Sequence, residues 1–187
     1  VNVRLIPSAD PTGARDPAFP QGIIPACMPE TRVNTTIRTA SPADESGLGE
    51  LESSCFDEDR RSSPRSLKRS LSSPSQVVRV IDRAAAGSPA SAGLAAAAIY
   101  WLYPRSLRLY SVAVCRESRG AGLGRLLVAD AFREARERGL CRVVLEADQA
   151  NAALVRWYES QGFVVTRQLP SYYAPGRHAV RMSCPVT

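Results

Sequence analysis

Apolar positions along this chain repeat with two periods, and the switches between them mark out the elements. Gln76 to Asp82 alternates and predicts a strand, while Gly93 to Tyr103 is apolar almost throughout, as a buried central strand is. Leu107 to Val114 follows as its hairpin partner across Tyr103-Pro104-Arg105-Ser106, with proline at the second turn position. Beyond a glycine-rich stretch, Leu123, Leu126, Leu127, Ala131 and Ala135 recur at helical spacing, which predicts a helix from Arg125 to Arg138 stopped by Gly139. Cys141 to Ala147 reads as a strand, Asn151 caps a helix running to about Gln161, and strands are expected at Phe163 to Gln168 and Ala179 to Ser183. Tyr172-Tyr173-Ala174-Pro175-Gly176 reads as the loop between those last two.

Upstream, Thr35 to Thr39 is a short strand candidate. Ser41-Pro42-Ala43-Asp44 supplies an N-cap, a first-turn proline and an acidic third residue, so a helix is expected from Pro42 with Leu48, Leu51, Cys55 and Phe56 on its apolar stripe. Ser63-Pro64 opens a second short helix carrying Leu67 and Leu71, and the charged run Asp57 to Arg61 reads as a solvated connection. The resulting order is strand, two helices, three strands, helix, strand, helix, two strands. A helical crossover makes the strands on either side of Arg125 to Arg138 parallel neighbours. The fold class expected is α/β of the mixed α+β kind, with helices on both faces of a mixed sheet. Residues 1–32 hold six prolines and little periodicity, an irregular tail preceding one domain over 33–187.

Length and composition agree with that division. With 187 residues and 44% apolar content the chain can bury one substantial core. The net charge of +6 comes from arginines that are spread rather than blocked, and Lys68 is the one lysine, so no nucleic-acid partner is expected. Five cysteines, far apart and without a C-x-x-C pair, argue against a zinc site or a disulfide framework; no metal is expected, and a reducing, cytoplasmic setting is. The longest apolar run is too short to span a bilayer, so no membrane role is expected.

The stretch with chemistry in it is Arg119-Gly120-Ala121-Gly122-Leu123-Gly124. A strand that delivers a glycine-rich turn to a helix start makes an anion site, because the first backbone N–H groups and the positive dipole end favour phosphate oxygens. A P-loop would need Lys and then Ser or Thr after the last glycine, where Arg125 and Leu126 stand. The dinucleotide fingerprint needs G-x-G-x-x-G, and the spacing here is G-x-G-x-G.

Val112-Ala113-Val114, the R-G-A-G-L-G-R run at 119 to 125, Leu145-Glu146, Asn151, Tyr158 and Gly162-Phe163 arrive in one order that resembles the GNAT superfamily of acetyl-CoA-dependent N-acyltransferases. The resemblance covers roughly residues 34–184. It implies a twisted, mostly antiparallel sheet of about seven strands with a splayed parallel pair and about four helices. It implies acetyl-CoA as co-substrate, its pyrophosphate held by Arg119, Gly120, Ala121, Gly122, Leu123, Gly124 and Arg125. The pantetheine arm would lie along Val112, Ala113 and Val114, with Asn151 lining the same groove. Glu146 is implied as general base and Tyr158 as the acid that protonates the departing thiolate. Tyr172 and Tyr173, with Arg177 beside them, are similar to the acceptor loop of the branch that acetylates the N-terminal alanine of a ribosomal protein. That likeness implies a primary amine acceptor on a protein or peptide N-terminus; the protein itself is expected as a monomer or homodimer. A small-molecule amine, or a non-catalytic acetyl-CoA-binding module, are the alternatives. One departure concerns the acceptor: Ala147-Asp148-Gln149 stands where that branch has a valine and an arginine. Trp157 is expected in the core, and Arg142 or Arg156 as partners if Glu146 were merely ion-paired.

Overall fold

A computed structural model describes residues 3–4, 36–83 and 93–187. Apart from Val3 and Arg4, the proline-rich tail lies outside the described residues, as do residues 84–92. The strands are β1 (Val3–Arg4), β2 (Ile37–Thr39), β3 (Gln76–Asp82), β4 (Leu94–Leu102), β5 (Ser106–Val114), β6 (Arg142–Asp148), β7 (Val164–Ala174) and β8 (Arg177–Pro185). The helices are α1 (Glu45–Cys55), α2 (Pro64–Ser72), α3 (Leu123–Glu137) and α4 (Ala152–Glu159). Seven strands form one sheet in the order β2-β3-β4-β5-β6-β8-β7, and β1 pairs with β5 off that path. Every pairing is antiparallel except β5 with β6, the pair predicted from the helical crossover.

The parallel pair is short. Ser106, Leu107 and Arg108 face Arg142, Val143 and Val144, and the register goes no further. On the other edge of β5, Ile99 pairs with Ser111 but Tyr100 with Leu109, so Tyr110 is an extra residue. Such a bulge bends its strand, and β5 leaves β6 at this point. A wedge opens inside the sheet, and β1 lies in it, pairing Val3 with Val112 and Arg4 with Ser111.

Helices cover both faces. Tyr100 donates to the Leu127 carbonyl of α3 at 2.8 Å, while Ser111, partner of the next residue along β4, reaches Glu52 of α1 on the opposite face. The small side chains of Ala95, Ala96, Ala97 and Ala98 are all buried and let both layers approach β4 closely. Gly47 on α1 extends that approach, since a Cβ there would sit 3.3 Å from Leu94 Cγ. At the edge, Arg79 on β3 is ion-paired to Asp130 at 3.1 Å and to Glu134, tying α3 to the sheet.

Local signals acted largely as read. The Ser41 N–H donates to Asp44 at 2.7 Å, although the first turn, Pro42–Asp44, is 3-10 and the α-helix proper starts at Glu45. Ser63 accepts from the Ser66 N–H, and Asn151 Oδ1 from the Leu154 N–H at 3.1 Å. Two boundaries differ. α3 begins at Leu123, because Gly122 takes the N-cap position at φ 80°. β7 runs on to Ala174, so Tyr172 and Tyr173 lie on a strand rather than in a loop. Pro170 falls inside β7, where the pairing with β8 shifts register between Leu169 and Ala174; β7 is the sheet's edge and a proline is tolerated there.

Candidate active site

The glycine stretch forms the wall of a cavity. After a 3-10 turn at Arg116–Ser118, Gly120 (φ 85°) and Gly122 (φ 80°) hold conformations that side chains rarely adopt, and a Cβ built at either meets nothing within 4 Å. A cavity of about 450 Å³ opens there, lined by Val114, Ser118, the 119–125 run and Trp157. Because α3 starts at Leu123, the amides of Leu123, Gly124 and Arg125 belong to its first turn, whose N–H groups have no intrahelical acceptor. Arg119 and Arg125 are exposed beside it, with Arg119 Nε donating to the Val114 carbonyl at 3.3 Å. Trp157 is half-buried: it packs against the core, as expected, and one helical step from Tyr158 also turns it to line this cavity.

Val112, Ala113 and Val114 are buried on the part of β5 that has left β6. Asn151 is exposed at the start of α4, its carboxamide oxygen engaged as the cap. Seven residues on, Tyr158 is fully buried between the rings of Trp157 and Phe163. Its hydroxyl has no hydrogen-bond partner among the described residues. Burial first, and then the neighbouring Tyr173, push its pKa above the ordinary value of 10, so at neutral pH it is a phenol with a proton to give.

Glu146 is 1% exposed. Its partners are neither Arg142 nor Arg156, the two expected from the sequence. Arg108 on β5 donates through Nε to Oε2 at 3.0 Å, and Arg181, directly across on β8, through Nε to Oε1 at 3.0 Å. Arg142 stands at the far end of β6, and Arg156 lies on α4, four residues beyond the Ala152 that opens the helix. Arg108 also donates to the Tyr172 hydroxyl at 2.7 Å and lies over the Trp101 ring, 5.4 Å from its centroid. Burial, and then the Glu146 charge, push the Tyr172 pKa up to about 12, with Arg108 pulling the other way. Arg108 escaped the sequence reading, yet it left a signal: an arginine within Leu107-Arg108-Leu109-Tyr110, a strand otherwise built for burial, needs a carboxylate beside it.

Asp148, the residue that departs from the ribosomal-protein branch, accepts from Arg177 Nε and Nη2 at 3.1 Å each. Arg177 in turn reaches Asp59 of the connection between α1 and α2 at 3.7 Å and lies over the Tyr173 ring. The acid at 148 is thus paired to an arginine on β8. His178, read as structural, accepts on Nδ1 from the Ser171 N–H at 2.9 Å.

A parallel pair that separates beside a glycine-rich helix start, with a cavity at that start, defines the site of this mixed α/β protein. A family model described as the acetyltransferase (GNAT) family matches residues 47–163, and the chain belongs to that family. It is 51% identical over 55 residues to a mycothiol acetyltransferase of Thermobispora bispora, covering 29% of this chain and 19% of that protein. It is 33% identical over 94 residues to a streptothricin acetyltransferase of Streptomyces lavendulae, covering 48% of this chain and 50% of that one. The chain thus spans half the length of these curated relatives or less. The solved ribosomal-protein-S18-alanine N-acetyltransferase of Escherichia coli superposes with a TM-score of 0.70 at 22% identity, over 82% of this chain and 94% of that one, a likeness of fold. Among the described residues no helix is long and apolar enough to cross a membrane.

Proposed function

We propose that this chain transfers the acetyl group of acetyl-CoA directly to a primary amine. The observation that carries the reading is the Tyr158 hydroxyl, fully buried and without a partner among the described residues, on the helix that also turns Trp157 to the glycine-loop cavity. A buried donor left unmade is costly, about 1–3 kcal/mol, unless a ligand completes it. The CoA sulfur is such a group.

The remaining residues fit the same co-substrate. First-turn amides of α3 and the Gly120–Gly122 backbone suit the pyrophosphate, and the edge of β5 from Val112 to Val114 suits the amides of the pantetheine arm. Acetyl-CoA supplies an activated acyl carbon; the chain supplies the proton transfers. Glu146 receives the proton of the incoming ammonium, directly or through water, on Oε1, which keeps a lone pair beyond its Arg181 contact, whereas Oε2 meets both Nε and Nη2 of Arg108. Tyr158 delivers a proton to the departing sulfur. An amide near Val114 polarises the thioester carbonyl.

The acceptor has two candidates, a protein or peptide N-terminus and a small-molecule amine. The ion pair between Arg177 and Asp59 favours the second, because it joins the β7–β8 hairpin, two residues along β6 from Glu146 through the Arg177–Asp148 contact, to the connection after α1. The test is release of free CoA thiol from acetyl-CoA with a panel of peptides and small amines. Release dependent on amine, lost in Glu146→Gln and Tyr158→Phe, supports the reading; binding of acetyl-CoA with no amine-dependent thiol release contradicts it.

A further inference from the structure

We infer that the acceptor carries a carboxylate within a few bonds of its reacting amine, and that Arg181 receives it. The inference rests on the acetyltransferase reading and concerns what that reading leaves open. On one face of the sheet, Glu146 lies between Arg108 and Arg181, both of its oxygens engaged. Two guanidiniums against one carboxylate leave one positive charge in excess, at a place where Glu146 is 1% exposed and the Arg108 side chain 6%. Arg181, its side chain 25% exposed, carries that excess partly out of water, and a counter-ion stabilises it.

The two arginines differ in what they have left to give. Arg108 is spent on Glu146, on the Tyr172 hydroxyl and on the face of Trp101. Arg181 is a quarter exposed and engages Glu146 through Nε, while its two terminal nitrogens have no hydrogen-bond partner among the described residues. Those nitrogens form the fork that matches a carboxylate. Across the strand pair its partner on β7 is Arg167, another cation rather than an acid, and like charges set opposite each other are destabilising without an anion between them. Nearby acids are committed elsewhere: Asp148 to Arg177, Glu52 to Ser62 and Ser111.

Geometry ties the missing anion to the reacting amine. Arg181 and Glu146 are direct cross-strand partners, so their side chains start about 5 Å apart on one face. An acceptor whose amine meets Glu146 and whose carboxylate meets Arg181 is an amino acid, or a peptide opening with Asp or Glu. A polyamine would add positive charge where there is already an excess.

The experiment compares the twenty amino acids with their carboxamides as acceptors, by thiol release from acetyl-CoA, with spermidine and with peptides opening in Asp, Glu, Asn or Gln as further arms. At least one acid should exceed its carboxamide by about tenfold or more in kcat/KM. Free acids ahead of acidic peptides identify the small-molecule source; the reverse identifies the peptide. Arg181→Gln should raise KM for that acid by about tenfold, change kcat by much less and erase the preference for acid over carboxamide, with partial rescue in Arg181→Lys. Carboxamides or spermidine used as well as the acids, a preference that survives Arg181→Gln, or no turnover of any pair by protein that binds acetyl-CoA would overturn the inference. If Arg181→Gln does not fold, the comparison of acid with carboxamide on the unaltered chain still decides. Failure to bind acetyl-CoA in calorimetry would instead overturn the acetyltransferase reading.

Discussion

Arg108 Nε lies 3.0 Å from Glu146 Oε2, joining β5 to β6 just beyond the last paired rung, Arg108 with Val144. The contact closes the wedge at its vertex and fixes where the proposed base stands. Glu146→Gln therefore acts on two quantities. Turnover should fall by about 10²- to 10⁴-fold, the range for loss of a general base. The melting temperature should fall as well, because two arginines lose their counter-charge, an effect of about 3–5 kcal/mol for a fully buried pair and less here, where Arg181 meets solvent. Calorimetric acetyl-CoA affinity should stay nearly unchanged; a large loss of affinity would move Glu146 from the acceptor side to the donor side.

Tyr158→Phe makes the opposite separation. The hydroxyl has no hydrogen-bond partner among the described residues, so its removal should leave thermal stability within about 0.5 kcal/mol of the parent, or raise it. Turnover should fall by about 10- to 100-fold at saturating acetyl-CoA, the lower part of the general-acid range. Unaltered turnover would make Tyr158 a packing residue.

Alkaline titration tests the burial of the aromatic cluster. Burial is the largest cause raising the pKa of Tyr100, Tyr158, Tyr172 and Tyr173, with Tyr172 pushed up to about 12. A phenol whose folded pKa exceeds its unfolded value of 10 keeps its full contribution to stability below pH 10 and loses it as pH rises through the folded value. Phenolate absorbance should therefore show these tyrosines un-ionised well past pH 10, and the melting temperature should decline above pH 10. Six tyrosines titrating together near pH 10, with the fold intact, would contradict the arrangement.

In the proposed binding mode the pantetheine arm would compete with β1 for one backbone edge, since Val3 pairs with Val112. A chain lacking residues 1–8 should bind CoA about fivefold more tightly, equivalent to about 1 kcal/mol for a displaced pair of backbone bonds. Equal affinity would place the pantetheine arm elsewhere.

Much of this molecule could be read from its sequence, and what escaped has physical causes. The alternation of β3, the apolar run of β4 and the helical stripe of α3 are local patterns, and each appears where expected. The parallel neighbours followed from one crossover rule. The length of β7 escaped because the strand continues through Pro170, and edge position, which permits a proline, belongs to the assembled sheet. Trp157 lines a cavity that exists once α4 and the glycine loop are both in place. The partners of Glu146 come from β5 and β8, 38 and 35 residues away, a distance at which spacing carries no information.

The central claim is that the glycine loop and the wedge beside it bind acetyl-CoA. Ala121 offers a clean test: it is exposed, lines the cavity and has no positive φ, so a side chain added there projects toward the ligand without backbone strain. Calorimetric titration of acetyl-CoA into the full chain and into Ala121→Glu measures the claim directly. Saturable one-to-one binding by the parent, weakened about tenfold or more by an added negative charge at the phosphate position while the melting temperature of the unliganded protein is unchanged, is the predicted result. No binding by the parent, or equal binding by both, would contradict it.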